Sequence, residues 1–203
     1  MKLVILDRDG TINEDRDDFV KSPDEWVAVP GALEAIARLN HAGWHTVVAT
    51  NQSGLARGLF DMATLNAIHA RMNRELTAVG GRIDAVFFCP HGPDDGCYCR
   101  KPLPGLIEKI AERYGIDAGE VHVVGDSLRD LQAGAAAGCH THLVRTGKGA
   151  SLDDAQLATL RRDLPGSQVH ADLTAFAHAL IQGERRERGI AADESDSLFG
   201  ELG

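Results

Sequence analysis

Two aspartates stand two residues apart in Asp7-Arg8-Asp9-Gly10-Thr11, directly after the apolar run Leu3-Val4-Ile5-Leu6. If strand geometry persists past Leu6, alternate side chains share a face, so Asp7 and Asp9 point one way and Arg8 the other. Like charges held that close need a cation or a shared proton. Magnesium suits them, since it prefers oxygen ligands and is often bound by one or two carboxylates together with phosphate and water. A carboxylate pair bridged by such a cation suits chemistry on a phosphate, where the ion neutralises charge on the transferring group. A lone D-x-D is common on any acidic surface. This one follows a strand-like apolar run, and Val123-Val124-Gly125-Asp126-Ser127 later supplies a third carboxylate in the same kind of setting.

Other residue types complete a phosphate site. Lys101 is the candidate ammonium, because it precedes a helix opened by Pro104, and a helix start favours anions. Thr50 can donate its hydroxyl to a phosphate oxygen, and Asn51 can add its N–H or its side chain. Gly10 permits a sharp turn that aims backbone N–H groups at a bound phosphate. Asp130 has two open roles, orienting Lys101 or the metal ligands, or lying solvated on a helix.

A second constellation is Cys89-Pro90-His91 followed, five residues on, by Cys97-Tyr98-Cys99. Three thiolates and one imidazole make a closed tetrahedral set for a structural zinc, with free or redox-active thiols as the other reading. The close spacing argues against a disulfide framework and for a reducing, cytoplasmic setting. Cys139 reads as a small buried apolar residue. His41, His45 and His69 show no ligand spacing and are assigned no chemistry.

The elements that must position these groups alternate. Strands are expected at residues 2–6, 44–49, 83–89, 121–124 and 141–144, with an edge strand at 169–171. Helical patterns lie between them: one opened by Pro30-Gly31, one from Asp61 to about Val79 with Leu65, Ile68, Met72 and Leu76 on one face, one after Pro104, and an Ala-rich one at 129–137. A last helix is expected from Leu173 to Ile181. This alternation predicts an α/β fold with a doubly wound, mostly parallel sheet. Ligands collect at the carboxyl ends of such strands, where Asp7, Thr50, Cys89 and Asp126 fall.

At 203 residues the chain fits a single domain, expected over 1–182 with the zinc loop at 89–99; the charged segment 183–203 is expected to be a flexible tail. A net charge of -9, from 21 Lys and Arg against 30 Asp and Glu, argues against a nucleic-acid partner. The apolar run at residues 3–6 is too short for a membrane span, and no membrane partner is expected.

Taken together, D-x-D-G-T, the strand ending in Thr50-Asn51, the lysine before a proline and V-G-D-S-x-x-D resemble the haloacid-dehalogenase-like (HAD-like) phosphohydrolases over residues 3 to about 146. That resemblance implies a Rossmann-like core in which Asp7 forms an aspartyl phosphate and Asp9 is general acid, then base. It implies Thr50 and Lys101 as phosphate holders, and magnesium on the Asp7 carboxylate, the Asp9 carbonyl and Asp126. The narrower set D-R-D-G-T-I-N, T-N-Q-S-G-L-A-R-G, the Cys/His loop and C-R-K-P-x-P-G is similar to phosphatases that remove the C7 phosphate of a heptose 1,7-bisphosphate in lipopolysaccharide-core precursor synthesis. This group implies a monomer with zinc on Cys89, His91, Cys97 and Cys99. Histidinol-phosphate phosphatases have a similar architecture and are the alternative.

Two departures stand out. Ser127 occupies a position where some members of the group have lysine, and the segment between His91 and Cys97 is short. No insertion long enough for a separate cap is seen. Specificity is therefore expected from residues 13–22, from the stretch containing Gln52, Ser53 and Arg57, and from the zinc loop. Arg57 and Arg100 are the candidates for a second phosphate. A phosphomutase would need a lid to keep water from the phosphoenzyme, and a binding module would have no use for the Asp9 proton relay.

Overall fold

The computed structural model describes residues 1–187 and 189. Its centre is β1, Leu3–Leu6, whose side chains are all buried and alternate between the two layers of core. Val4 and Leu6 pack under α1 (Ala32–His41), α2 (Met62–Ala78) and α6 (Leu173–Glu187). Leu3 and Ile5 face α3 (Gly105–Tyr114) and α4 (Leu128–Ala136). A strand buried on both faces has to be apolar throughout, which is why this run shows no polar alternation.

The other strands are β2 (His45–Asn51), β3 (Ala85–Cys89), β4 (Val121–Gly125), β5 (His140–Val144) and β6 (Gln168–His170). All pair in parallel, in the order β3-β2-β1-β4-β5-β6. The chain winds outward from β1 through β2 to β3, then returns to the other side of β1 to lay down β4. The reversal lies between β1 and β4, and a crevice opens there at the carboxyl ends of the strands. Leu6 is paired with Val124, and the Asp7 N–H donates to the Val124 carbonyl at 2.9 Å, so Asp7 and Asp126 leave neighbouring strands almost level.

The expected α/β architecture is thus observed, with strand ends displaced by one or two residues. The connections carry helices and short 3-10 turns rather than an inserted domain. Four elements had no counterpart in the sequence reading: the 3-10 turns Pro23–Glu25, Ala118–Glu120 and Gly147–Ser151, and helix α5, Asp154–Asp163. The apolar stripe of α5 is thin, with Leu157 and Leu160 its buried residues, so periodicity hardly marks it. Its start is marked by the reciprocal cap between Asp153 and Gln156. The last helix runs past Ile181 to Glu187, so the segment expected as a tail from 183 begins inside α6; its remainder, apart from Gly189, lies outside the described residues. Among the described residues no helix is long and apolar enough to cross a membrane.

On the side of the sheet covered by α6, β4, β5 and β6 set three imidazoles in a row. His122 Nδ1 lies 2.9 Å from His142 Nε2, and His142 Nδ1 lies 3.1 Å from His170 Nε2, with the Phe176 ring against both His142 and His170. Burial, then the neighbouring His140, pushes His122 down to about 4, and burial with three imidazole neighbours lowers His142 further.

Candidate active site

Asp7 follows β1 into the crevice and meets Lys101, which arrives from the far side of β2. The Lys101 ammonium donates to Asp7 Oδ1 at 2.8 Å and to the Ala49 carbonyl at 2.7 Å, and pairs with Asp130 Oδ1 at 2.5 Å. Burial alone would favour the neutral amine, but the Asp130 and Asp7 carboxylates outweigh it and hold Lys101 firmly charged. The open question about Asp130 is settled by this contact. It is 2% exposed, joins Lys101, and closes the first turn of α4 by accepting from the Ser127 N–H and hydroxyl.

Asp7, Asp126 and Asp130 bring carboxylate oxygens within 4.8 Å of one another. Burial, then the charge of Asp130, raises Asp7 to about 8 against the pull of Lys101, and the same two causes raise Asp126 to about 7. Carboxylates so reluctant to ionise together are a donor set waiting for a hard cation, and the all-oxygen chemistry fits magnesium. Asp126 is held by the Lys148 N–H at 2.7 Å, and Gly10 and Gly147 wall it so closely that a Cβ at either position would collide with its carboxylate. That is the role of Gly10. The sharp turn expected there is present, with Gly10 at a φ of 82°, and its own N–H donates to the Asn13 carbonyl inside that turn.

Asp9 is set differently. Arg8 does not point away from it, because strand geometry ends at Leu6: the guanidinium folds back and donates from Nη2 to both Asp9 oxygens at 2.9 and 3.0 Å, and from Nε at 3.2 Å. Asn13 and Gln52 each add a donor at 2.9 Å. Burial works to raise Asp9, but Arg8, Asn13 and Gln52 overcome it and hold the carboxyl below its ordinary range.

The predicted phosphate holders divide. Thr50 is buried at the mouth of β2 and lines the cleft, its hydroxyl accepting from Gln52 at 2.9 Å. Asn51 holds the backbone of Lys101 instead of offering its side chain: Oδ1 accepts from the Lys101 N–H at 3.1 Å, and Nδ2 donates to the Lys101 carbonyl at 3.0 Å. Gln52 likewise serves Asp9 and Thr50, while Ser53 lines the cleft. The first turn of α3 does not border the cleft; the helix start that does is that of α4.

Cys89, His91, Cys97 and Cys99 also converge. Their sulfurs lie 3.6 Å (Cys89 to Cys97) and 3.3 Å (Cys89 to Cys99) apart, and His91 Nδ1 is 3.3 Å from the Cys99 sulfur. Edges of a tetrahedron built on zinc–ligand bond lengths are about 3.4–3.8 Å. A disulfide needs sulfurs about 2.05 Å apart, and all four cysteines are free. Burial pushes the Cys89 thiol up to about 12, so a cation there would have to displace its proton. The loop is tied to the cleft through Arg100, which donates to the His91 carbonyl at 3.2 Å immediately before Lys101.

Residues 98–175 match the HAD-hydrolase-like family model. The chain is 61% identical to the D-glycero-beta-D-manno-heptose-1,7-bisphosphate 7-phosphatase of Bordetella bronchiseptica over 183 residues, covering 90% of this chain and 99% of the relative. The protein of that name from Pseudomonas aeruginosa is 51% identical, over 89% and 98% of the two chains. The chain belongs to the HAD-like hydrolases. The B. bronchiseptica enzyme complexed with magnesium and phosphate superposes on this HAD fold with a TM-score of 0.84. The Burkholderia thailandensis phosphatase, 56% identical, does so with 0.68, covering 89% of this chain and 99% of that one. The protein is accordingly a HAD-family phosphatase, a phosphoric monoester hydrolase.

The HAD cleft also holds cations that spacing alone did not reveal. Arg129, on the first turn of α4, and Lys148, whose ammonium pairs with Asp15, both line it, as does Arg100. Arg57 does not line it; its guanidinium lies over the Phe19 ring, 5.6 Å from the centroid, and Phe19 forms the wall. Basic residues after V-G-D-S and after the fifth strand were the available signal.

Proposed function

We propose that this phosphatase is magnesium-dependent and removes the C7 phosphate of D-glycero-D-manno-heptose 1,7-bisphosphate. The observation that carries it is the convergence of Asp7, Asp126 and Lys101 in one cleft, in a chain 61% identical to a heptose-bisphosphate phosphatase crystallised with magnesium and phosphate. Asp7, the Asp9 backbone carbonyl and Asp126 would hold the ion. Bound there, it neutralises charge on the transferring group and lets an anionic nucleophile approach a phosphate dianion.

The chain's own residues do the rest. A carboxylate oxygen of Asp7 forms a bond to phosphorus as the bond from phosphorus to the C7 oxygen breaks, and Asp9 gives its proton to the departing oxygen. Asp9 is ionised at rest, so before the transfer it takes up a proton from solvent, its proton affinity raised by the phosphate dianion against it through like-charge repulsion. Asp9 then takes a proton from water, which attacks the aspartyl phosphate and releases inorganic phosphate with Asp7 restored. Lys101 and the Thr50 hydroxyl hold the equatorial oxygens, while Asn51 keeps the Lys101 backbone in place.

Arg100 and Arg129 take the second phosphate, replacing the Arg57 contact that geometry does not support and offsetting Ser127 where some relatives have lysine. Zinc on Cys89, His91, Cys97 and Cys99 is structural and fixes the loop that carries Arg100 and Lys101. Residues 1–182 act as one catalytic unit. The enzyme works as a cytoplasmic monomer on a small phosphorylated sugar, without nucleic-acid or membrane partners.

Initial rates on heptose 1,7-bisphosphate and on histidinol phosphate, at equal concentration with magnesium, test the assignment. The sugar bisphosphate is expected to be hydrolysed at least about tenfold faster, the discrimination worth one lost charge-assisted contact. Preference for histidinol phosphate would overturn the substrate and leave the chemistry standing.

A further inference from the structure

Arg8 is 1% exposed and among the largest fully buried side chains of the protein. Its Nε and Nη2 edge is occupied by Asp9. Its Nη1 reaches a different element, donating to His69 Nε2 at 3.2 Å, and His69 sits on α2, beside the apolar stripe of Ile68 and Met72. A guanidinium has five N–H donors and no acceptor, so a buried one is fixed in rotation only where each edge meets an acceptor. Among the described residues the acceptor for Nη1 is His69. The contact needs a neutral imidazole with its proton on Nδ1, and burial followed by the Arg8 charge pushes His69 down to about 4, which keeps it neutral.

We infer that His69 is a positioning residue for the proton-moving step: through Arg8 it fixes the rotation of the guanidinium and hence the direction in which the Asp9 carboxylate faces the cleft. Arg8 offers a planar fork, and a fork that rotates about its stem carries both of its carboxylate bonds with it. Asn13 and Gln52 approach the same carboxylate from a loop and a strand end, so they limit its swing without fixing the fork. Helix α2 thus does more than cover the sheet. It reaches the general acid–base group through a buried relay of two side chains. The inference rests on Asp9 being the group that moves the proton.

Steady-state kinetics on three variants test it, with the wild type assayed alongside so that a failure of the phosphatase reading itself would be visible there. His69→Phe keeps a ring and removes the acceptor; kcat is expected to fall roughly tenfold with KM within about twofold, the pattern of a group felt in the transition state but not in binding. His69→Gln supplies a carbonyl acceptor on a flexible arm and is expected to recover most of kcat. His69→Ala removes the acceptor without adding bulk, and takes the place of the phenylalanine variant if that protein does not fold. Unchanged kcat in the acceptor-free variant, a loss expressed in KM alone, or a glutamine variant as impaired as the acceptor-free one would each overturn the inference.

Discussion

In the cleft, Lys101 gives Asp7 and Asp130 a counter-charge inside the protein, at 2.8 and 2.5 Å. In the loop that begins at Cys89, three sulfurs and an imidazole face one another at 3.3–3.6 Å with no cationic side chain among them. The cleft stands on the ends of β1, β2 and β4, strands whose backbone ladders hold them with or without ligands. The loop has a short backbone scaffold, with the Gln52 N–H on the Cys89 carbonyl at 2.8 Å, the Asp95 N–H on the Gly92 carbonyl at 3.4 Å and the Gly105 N–H on the Tyr98 carbonyl at 3.2 Å. One site therefore has a side-chain counter-charge already in place on the sheet, while the other, on the proposed zinc reading, would take its counter-charge from the ion alone.

The sharpest way to break that contrast is Asp7→Asn. A cleft held by the sheet should survive it, so the variant is expected to fold and to keep its zinc while turnover falls on the order of 10⁴-fold, as for loss of a nucleophile. Metal analysis and single-turnover phosphate release check both halves. Turnover near the normal rate would place the nucleophile elsewhere.

A smaller effect is expected in the loop. Cys97→Ala should lose tightly held zinc, expose residues 90–100 to protease, and lower kcat/KM about tenfold by loosening Arg100 and Lys101. Washed wild-type protein without tightly held zinc would remove the basis of the contrast.

The smallest effect concerns neither site. His122 and His142 are neutral in the fold, with proton affinity well below the unfolded value near 6.5. The unfolded chain therefore binds more protons as pH falls below about 6.5, and stability present above that value is lost toward the folded values. Urea unfolding in saturating magnesium is expected to show about 1 kcal/mol less stability per buried histidine at pH 6.0 than at pH 7.5. An unchanged midpoint would mean that these rings are protonated or hydrated in the folded state.

Much of this was legible because apolar runs and the polar residues that follow them lie together in the chain. Leu3–Leu6 announces a buried strand, and Asp7 then has to stand at its carboxyl end. The Cys/His loop was legible for the same reason, all its ligands lying within eleven consecutive positions, 89–99. Side-chain direction was not. Arg8 reads as pointing away from Asp9 only if the strand continues, and the turn after Leu6 reverses it. Asn51 looks like a phosphate donor and Gln52 like a substrate contact until the chain brings Lys101 and Asp9 to them, contacts spanning 50 and 43 positions. His69 shows no spacing because its partner, Arg8, lies 61 positions away. Helix α5 carries little apolar signal, since it covers only the outer edge of the sheet near Leu143 and Val169.

Because β1 is one of the two central strands and lies at the reversal of the winding, its two neighbours come from distant parts of the polypeptide, β2 early and β4 only at Val121–Gly125. During synthesis from the N-terminus, one row of β1 amides and carbonyls stays unpaired until that later stretch leaves the ribosome, a template for wrong partners. Fragments ending before it contain Asp7 but lack Asp126, so the two carboxylates that meet in the cleft are brought together only after more than half of the chain has been made.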